Sequence, residues 1–571
     1  MKSMKLSITK TKNNIFFYMV KSYRKDGKST SKIVECLGKL EEVKIKANGE
    51  DPYAWAKKYV EEKTKEEKEN KGTYFQKLVE GTPLNIDNRV FNIGYLFLQK
   101  IYQQLKLDKI CKDIAKKYKF EYDLDSILSR LIYTRILEPS SKLSSLESAK
   151  KFIEQPNFEL QHIYRALEVI AKETEFIEAE VYKNSLSLID RNTKILYYDC
   201  TNYFFETEQA EGLKQYGVSK EHRPSPIVQM GLFMDGNGFP LAFCINPGNT
   251  NEQVTLKPLE KQIIQDFELS KFVVCTDAGL ASNENRIYNN FQNRSFVVTQ
   301  SLKKIKGHLK DWALSTDGWH TLNSKKEINL ENIDNTSSNE NVYYKELWIK
   351  ENGLEQRLIV SYSPKYAAYQ RNLRNAQIIR AENLIENPTT VSKNRQTDPK
   401  RFITSTFVTD DGEIANKKKL TLNTKAINDE AIFDGFYAVC TTLDDDISEI
   451  IKVNKRRWEI EESFRILKTE FKARPVYLKN DDRIKAHFTT CFLALLIYRI
   501  LENKLENKFT TNEIISTLYE MNSFKIDGLG NQQLFKSSIL IETLCKNFNI
   551  EINQNFISTN NFKKIIKKSK D

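Results

Sequence analysis

The spacing of apolar positions divides the chain into stretches of different period. Near the start, IFFYMV and SKIVECLG flank Asp26-Gly27, and residues 15–38 read as a β-hairpin, because Asp-Gly suits the positive φ angles of a tight turn. A heavily charged helix is expected from Ala54 to about Lys71. From Phe91 to Leu188 the period is helical: Tyr95, Leu98, Tyr102 and Leu105 recur at three-to-four spacing, as do Ile127 and Leu131 with Leu128 and Ile132. Arg130, Arg135 and Lys142 in this stretch have the charge to face phosphates, although a solvated helix face is the ordinary role for each.

The middle changes to strands. KILYYDCTNYFF, PIVQMGLFM and FPLAFCI are β-rich, and Asp235-Gly236-Asn237-Gly238 joins the last two as a hairpin. An amphipathic helix with Val254, Leu256, Leu259, Ile263 and Ile264 on its apolar side follows. Then come the strand KFVVCT, a helix near Ser282 to Phe291 and the strand SFVVTQ. Three antiparallel strands, a helix, a strand, a helix and a strand form the ribonuclease H-like order. Residues 301–440 interrupt it with short β runs (VYYKELWI, QRLIVSY, FITSTFV, GFYAVCTT) and one helix around Tyr366 to Ile385. From Ile447 the chain reads as helical again, down to a basic tail, KKIIKKSK. Its apolar run from Phe488 to Ile500 is too short to span a bilayer and reads as a buried helix.

The expected fold is therefore α/β: a ribonuclease H-like catalytic core interrupted by a β-rich insertion, with helical N- and C-terminal regions. The boundaries expected are 1–80 for the hairpin and charged helix and 81–190 for a helical DNA-binding region. The core's first part covers 191–300, the insertion 301–440 and the closing helices 441–500. The last region, 501–571, is expected to be helical and to serve dimerisation. A length of 571 residues exceeds a single hydrophobic core, in keeping with several domains.

Composition narrows the classes. With 40% hydrophobic residues the chain is too apolar for disorder, and a net charge of +12 permits a polyanionic partner without demanding one. The eight cysteines are scattered without a C-x-x-C pair, and His222, His308 and His320 have no cysteine at zinc-site spacing. Several cysteines sit in apolar runs, which fits reduced thiols and a cytoplasmic location. No apolar leader opens the chain, and no membrane association is expected.

Three acids stand out. Asp199 lies within the strand YYDCT, where an ionised side chain is costly unless paired or metal-bound. Asp277 ends the strand FVVCT, a position that serves equally for a ligand, a turn or a cap. In NKRRWEIEESFRILKTEFK, Ile460, Phe464, Leu467 and Phe471 form one stripe at about 100° per residue. Arg457, Glu461, Lys468 and Lys472 fall along one border of that stripe, whereas Glu462 points nearly opposite, into solvent, and Glu459 is also far from it. An Arg457–Glu461 ion pair is the competing account of this border. Asp444, Asp445 and Asp446 read as first-turn acids of a helix, Glu206 as an additional ligand, and Asp410 and Asp411 as a turn.

Five segments, YYDCTNYFFE, GLKQYGVSKEHRPSPIVQMGLFMDGNGFPLAF, PGNTNEQVTLKPLE, FVVCTDAGLAS and RRWEIEESFRILKTEF, occur in that order. Together they resemble the insertion-sequence transposases of the DDE class, in the group with a β-rich insertion before the final glutamate. The resemblance implies that Asp199, Asp277 and Glu461 are the catalytic, metal-binding acids. It also implies two Mg²⁺ or Mn²⁺ ions as cofactor, and double-stranded DNA, as transposon ends and target, as partner. A homodimer bridging two ends in a synaptic complex, associated with a bacterial nucleoid, completes that picture. The group's Y-x-x-R-x-x-x-E-x-x-x-x-x-x-K signature matches at Arg457, Glu461 and Lys468, and Asn454 replaces its tyrosine. Arg457, Lys468 and Lys472 are the expected DNA contacts, and Trp319 and Trp348 the candidates for holding a flipped base. A structure-selective nuclease on the same fold, and a non-catalytic DNA-binding derivative, are the alternatives.

Overall fold

A computed structural model describes residues 4–11, 14–25, 28–69, 89–322, 324–386, 398–408 and 417–571. The chain divides into two compact units. The smaller contains residues 1–88 with short returns at 526–531 and 558–560. Its N-terminal part has three antiparallel strands, Met4–Lys10, Ile15–Lys25 and Lys28–Lys39, rather than the expected two. Phe17, Met19 and Leu37 from the sheet pack against Val43, Ala56 and Val60 of the helices Leu40–Ala47 and Pro52–Glu69. The expected turn at Asp26-Gly27 lies outside the described residues.

In the larger unit one ten-stranded sheet dominates. Its strands are β1 (Ile195–Phe204), β2 (Ile227–Asp235), β3 (Pro240–Pro247), β4 (Val273–Thr276), β5 (Ser295–Gln300), β6 (Trp319–Thr321), β7 (Ser324–Ile328), β8 (Tyr343–Glu351), β9 (Leu354–Tyr362) and β10 (Phe436–Thr441). Their spatial order is β7-β6-β8-β9-β10-β5-β4-β1-β2-β3. β4 runs parallel to both β1 and β5, and the other neighbours are antiparallel. The helices Leu256–Asp266 and Asn283–Asn289 make the crossovers that the parallel pairs require. Val254, expected on the apolar side of the first, precedes that helix and is exposed. The region expected as a β-rich insertion does not form a sheet of its own: β6 to β10 extend the same sheet, joined to it through β10 and β5. Residues 403–408 and 417–422 form a separate two-stranded ribbon, and Asp410 and Asp411 lie outside the described residues.

The helical region begins at Tyr95–Gln104 and continues through Leu107–Lys117, Leu124–Leu137, Lys142–Ala149, Leu160–Lys172 and Thr174–Ser185. It packs around Asp481–Lys504, which is long and apolar enough to cross a membrane but has 89% of its apolar window buried inside the fold. This is the buried helix expected from the Phe488–Ile500 run. The C-terminal region departs from the all-helical expectation. Strands Asn522–Ile526, Gly530–Gln533 and Phe556–Ser558 interleave with its helices, and the first pairs with Val90–Asn92. Segments of three to five residues carry too little periodicity to announce themselves.

Candidate active site

Asp199, midway along β1, and Asp277 lie just past the paired stretch of two neighbouring parallel strands. Tyr197 of β1 is opposite Cys275 of β4, so two residues further on each strand brings the two acids level. Asp277 is the first residue beyond β4, and its carboxylate accepts the Leu280 N–H at 3.0 Å. Gly279 lies so close that a Cβ there would sit 3.3 Å from the same oxygen. Asp199 accepts the N–H of Cys200 at 2.7 Å. Desolvation pushes the Asp199 carboxyl up to about 6; the Asp277 charge adds to this, while Lys220, the Cys200 N–H and Arg457 oppose it.

Lys220 reaches the site on a loop held by β1. Asn202 accepts the Lys220 N–H at 3.2 Å and donates to the Val218 carbonyl at 3.1 Å. Burial disfavours the Lys220 charge, but Asp199 and Glu252 outweigh it and raise its pKa. Glu252 pairs with Lys220 at 3.1 Å, and its neighbour Gln253 donates to the Gly279 carbonyl at 3.0 Å. The PGNTNEQ segment thus braces both acids at once.

Lys468 and Arg457 complete the charged surroundings. Lys468, with 15% of its side chain exposed, approaches Glu221 at 3.8 Å, and Glu221 also pairs with Arg474. Burial and the Lys220 charge lower the Lys468 pKa to about 8, against the pull of Asp199. Arg223 and Arg474 both lie over the Phe204 ring, and Lys468 lies over Tyr203, so cations and aromatics alternate beyond Asp199. Arg457 donates to Thr299 Oγ1 at 3.3 Å, and its Nε is buried without a partner among the described residues.

The three glutamates of the following helix separate by environment. Ile460 and Phe464 are buried in the core, as the apolar stripe requires. Glu459 pairs with Arg456 at 2.9 Å, and Glu462 takes two 2.7 Å bonds from Arg465. Glu461 is 64% exposed, and among the described residues its carboxylate pairs only with Arg457, at 3.7 Å. Glu462 is therefore clamped rather than solvated, with 28% of its side chain exposed. Among the described residues, no three His, Cys, Asp or Glu side chains converge tightly enough to hold a metal. Asp199 and Asp277 are brought together; Glu461 stands apart, linked to them through Arg457.

The expected Lys472 position needs correction. The helix Trp458–Arg465 gives way to a π-helical turn over Ile466–Glu470 and ends at Phe471. Lys472 has φ of 44°, beyond the helix, so it does not share a helical border with Glu461. A uniform step of about 100° fails once a wider turn enters, and such turns collect at functional sites.

Residues 203–497, just over half of the chain, match the family model for the transposase DDE domain. The chain belongs to the DDE-class transposases. The matched span contains Asp277, Arg457, Glu461 and Lys468 and begins four residues after Asp199. No curated protein matches the transposase. Among solved structures, it is similar to a cryo-EM structure of the piggyBac transposase synaptic complex with hairpin DNA. That likeness has a TM-score of 0.34 and 8% identity and covers 75% of this chain and 78% of that one.

Three further sequence expectations in the transposase are resolved by its structure. Trp319 is fully buried and donates to the Ser315 carbonyl at 2.8 Å, so it is core and cannot hold a base, whereas Trp348 is 47% exposed. Asp446 caps the helix Ile447–Lys455 through Ser448 N–H, as expected of a first-turn acid. Asn454 is buried, and its amide donates to the Tyr437 hydroxyl at 2.9 Å, which leaves it unavailable to a phosphate. Sequence reasoning missed Tyr437, Lys220, Glu221 and Arg474. Lys220 and Glu221 lie inside a segment already notable for its resemblance, but nothing in GFYAVCTT marks Tyr437.

Proposed function

We propose that this transposase is a cut-and-paste enzyme that cleaves DNA at the terminal inverted repeats of a mobile element and joins the freed 3′-hydroxyl to target DNA. The observation that carries this reading is the pairing of Asp199 and Asp277 on adjacent parallel strands, amid Lys220, Arg457 and Lys468. The section β3-β2-β1-β4-β5, with its two crossover helices, is read as a ribonuclease H-like core. Residues 81–190 are assigned to end recognition and the C-terminal region to dimerisation.

The donor set suits a hard cation. Two carboxylates crowd together, and repulsion from Asp277 is one reason Asp199 holds its proton too tightly, a cost that a divalent ion relieves. Mg²⁺ or Mn²⁺ bound here would supply charge stabilisation and water activation for phosphodiester chemistry. Asp199 and Asp277 are the proposed ligands, and Glu461 the third on the strength of its register beside Arg457 and its exposure. Arg457 and Lys468 would hold the phosphates flanking the scissile bond. Lys220 keeps Asp199 in reach of its ionised form.

Metal-dependent nicking of end-containing DNA is the test. It should occur with the wild-type chain and vanish in Asp199→Ala, Asp277→Ala and Glu461→Ala; full activity in any of these removes that residue from the assignment. Pre-cleaved ends should yield joined products, which a structure-selective nuclease would not form.

A further inference from the structure

We propose that a cationic cavity lined by Arg135, Ser140, Lys142, Tyr164, Lys472 and Arg474 binds a phosphate group of a nucleic acid strand. The cavity has a volume of about 360 Å³, within the range of small-molecule sites and larger than a phosphate alone needs. A solvated helix face is the ordinary expectation for Arg135 and Lys142, yet they are only 4% and 5% exposed. Buried cations are normally paired, and these are not. Among the described residues Arg135 donates only to neutral carbonyls, of Phe471 at 3.1 Å, Lys472 at 3.4 Å and Ser140 at 3.2 Å. Lys142 Nζ, Arg135 Nε and Ser140 Oγ have no hydrogen-bond partner among the described residues. Among the described residues no carboxylate lines the cavity, and the charge of Arg474 is already matched by Glu221 outside it.

One tetrahedral oxyanion would satisfy these donors and cancel the repulsion between the two cations. The surroundings add no competing charge. His487 at the wall is kept neutral by burial and by the charges of Arg135 and Lys142, which together push its pKa well below the usual value. Lys142 itself is lowered to about 7 by burial and then by Arg135. The helix Lys142–Ala149 also starts here, directing the positive end of its dipole into the site.

The cavity is tied to the candidate active site through the chain itself. Phe471, whose carbonyl holds Arg135, and Lys472 directly follow the turn that carries Lys468. A strand whose phosphates meet Lys468 would reach the cavity next. Phosphate binding rests on the cations and not on the three acids, so it survives even if the cleavage assignment fails.

Thermal unfolding of the full chain, with inorganic phosphate against chloride at equal ionic strength, tests this. The wild-type midpoint should rise with phosphate. Lys142→Met, which keeps the stem and removes the charge, should melt higher than wild type without phosphate and lose the phosphate-dependent rise. Ser140→Ala, a milder change, should weaken phosphate binding about tenfold. An equal rise in wild type and both variants overturns the proposal. The source of the phosphate follows from duplexes with 5′-phosphate or 5′-hydroxyl ends. A terminal phosphate gives a wild-type preference that Lys142→Met abolishes; an internal one gives equal binding and a salt slope lowered by about one in the variant. Unchanged DNA binding with a lost phosphate rise assigns the cavity to free phosphate or a nucleotide.

Discussion

Tyr437 and Asn454 are joined by a 2.9 Å hydrogen bond at the point where the transposase signature has a tyrosine on the helix itself. The phenol arrives instead from β10, and its hydroxyl also meets Thr299 Oγ1 at 2.7 Å, the same oxygen that receives Arg457. A strand of the insertion therefore anchors an arginine of the site.

Tyr437→Phe should cost about 1–3 kcal/mol by leaving the Asn454 amide buried and unpaired. It should also weaken DNA binding, because Thr299, which receives Arg457, loses the hydroxyl that fixes it. Asn454→Tyr should not repair the signature. It forces a ring into a position 6% exposed and should destabilise by about 1–3 kcal/mol, partly relieved when Tyr437→Ala is added. A wild-type melting temperature for Asn454→Tyr alone would refute this account of the pocket.

Asp199 links stability to pH. Its folded pKa is about 6 against an ordinary 3.8, so between these values the folded chain binds more protons than the unfolded one. Stability contributed by this group is lost as pH rises through that window and the penalty is complete above it. Asp199→Asn should then melt higher than wild type at pH 8 in the presence of a chelator, by up to about 3 kcal/mol, and no higher at pH 4. Equal effects at both pH values would show that ionisation of Asp199 is not the cause.

Cleavage should follow a bell-shaped pH profile. The rising limb reflects loss of the Asp199 proton near pH 6 and should move to lower pH as metal concentration increases. The falling limb reflects loss of the Lys468 charge near pH 8. Lys468→Arg, which stays charged, should remove the falling limb, and Lys468→Ala should reduce the salt slope of DNA binding by about one. Pre-steady-state cleavage measured across pH checks both limbs.

The two tryptophans should behave oppositely. Trp319→Ala removes a fully buried ring and should cost about 3–5 kcal/mol. Trp348→Ala, on an exposed position, should leave stability within about 0.5 kcal/mol. If Trp348 stacks on DNA, 2-aminopurine fluorescence at the transposon end will change in that variant and not in a stabilised Trp319→Phe.

The sequence carried the site's skeleton wherever period or register is locally encoded. The strand holding Asp199 and the strand that ends just before Asp277 are β-rich runs, and Ile460, Phe464, Leu467 and Phe471 are all buried, as the stripe requires. The helical wheel failed at Lys472 because a π-helical turn depends on packing, not on residue spacing. Arg135 and Lys142 look solvated in sequence, since burial of a cation depends on what folds over it. Tyr437 reaches Thr299, and through it Arg457, by the pairing of strands more than a hundred residues apart, β5 with β10, which no local pattern announces.

The pairing of β10 with β5 has a consequence for modularity. Val297–Gln300 hydrogen-bond to Ala438–Thr441, so residues 301–440 cannot be removed as a cassette. A deletion ending before β10 would keep that strand but strip its other neighbour, β9; one that took β10 would leave the strand bearing Thr299 as a bare, adhesive sheet edge. A segment that reads in sequence as an appendage is, in the folded chain, the shoulder on which the neighbouring strand rests.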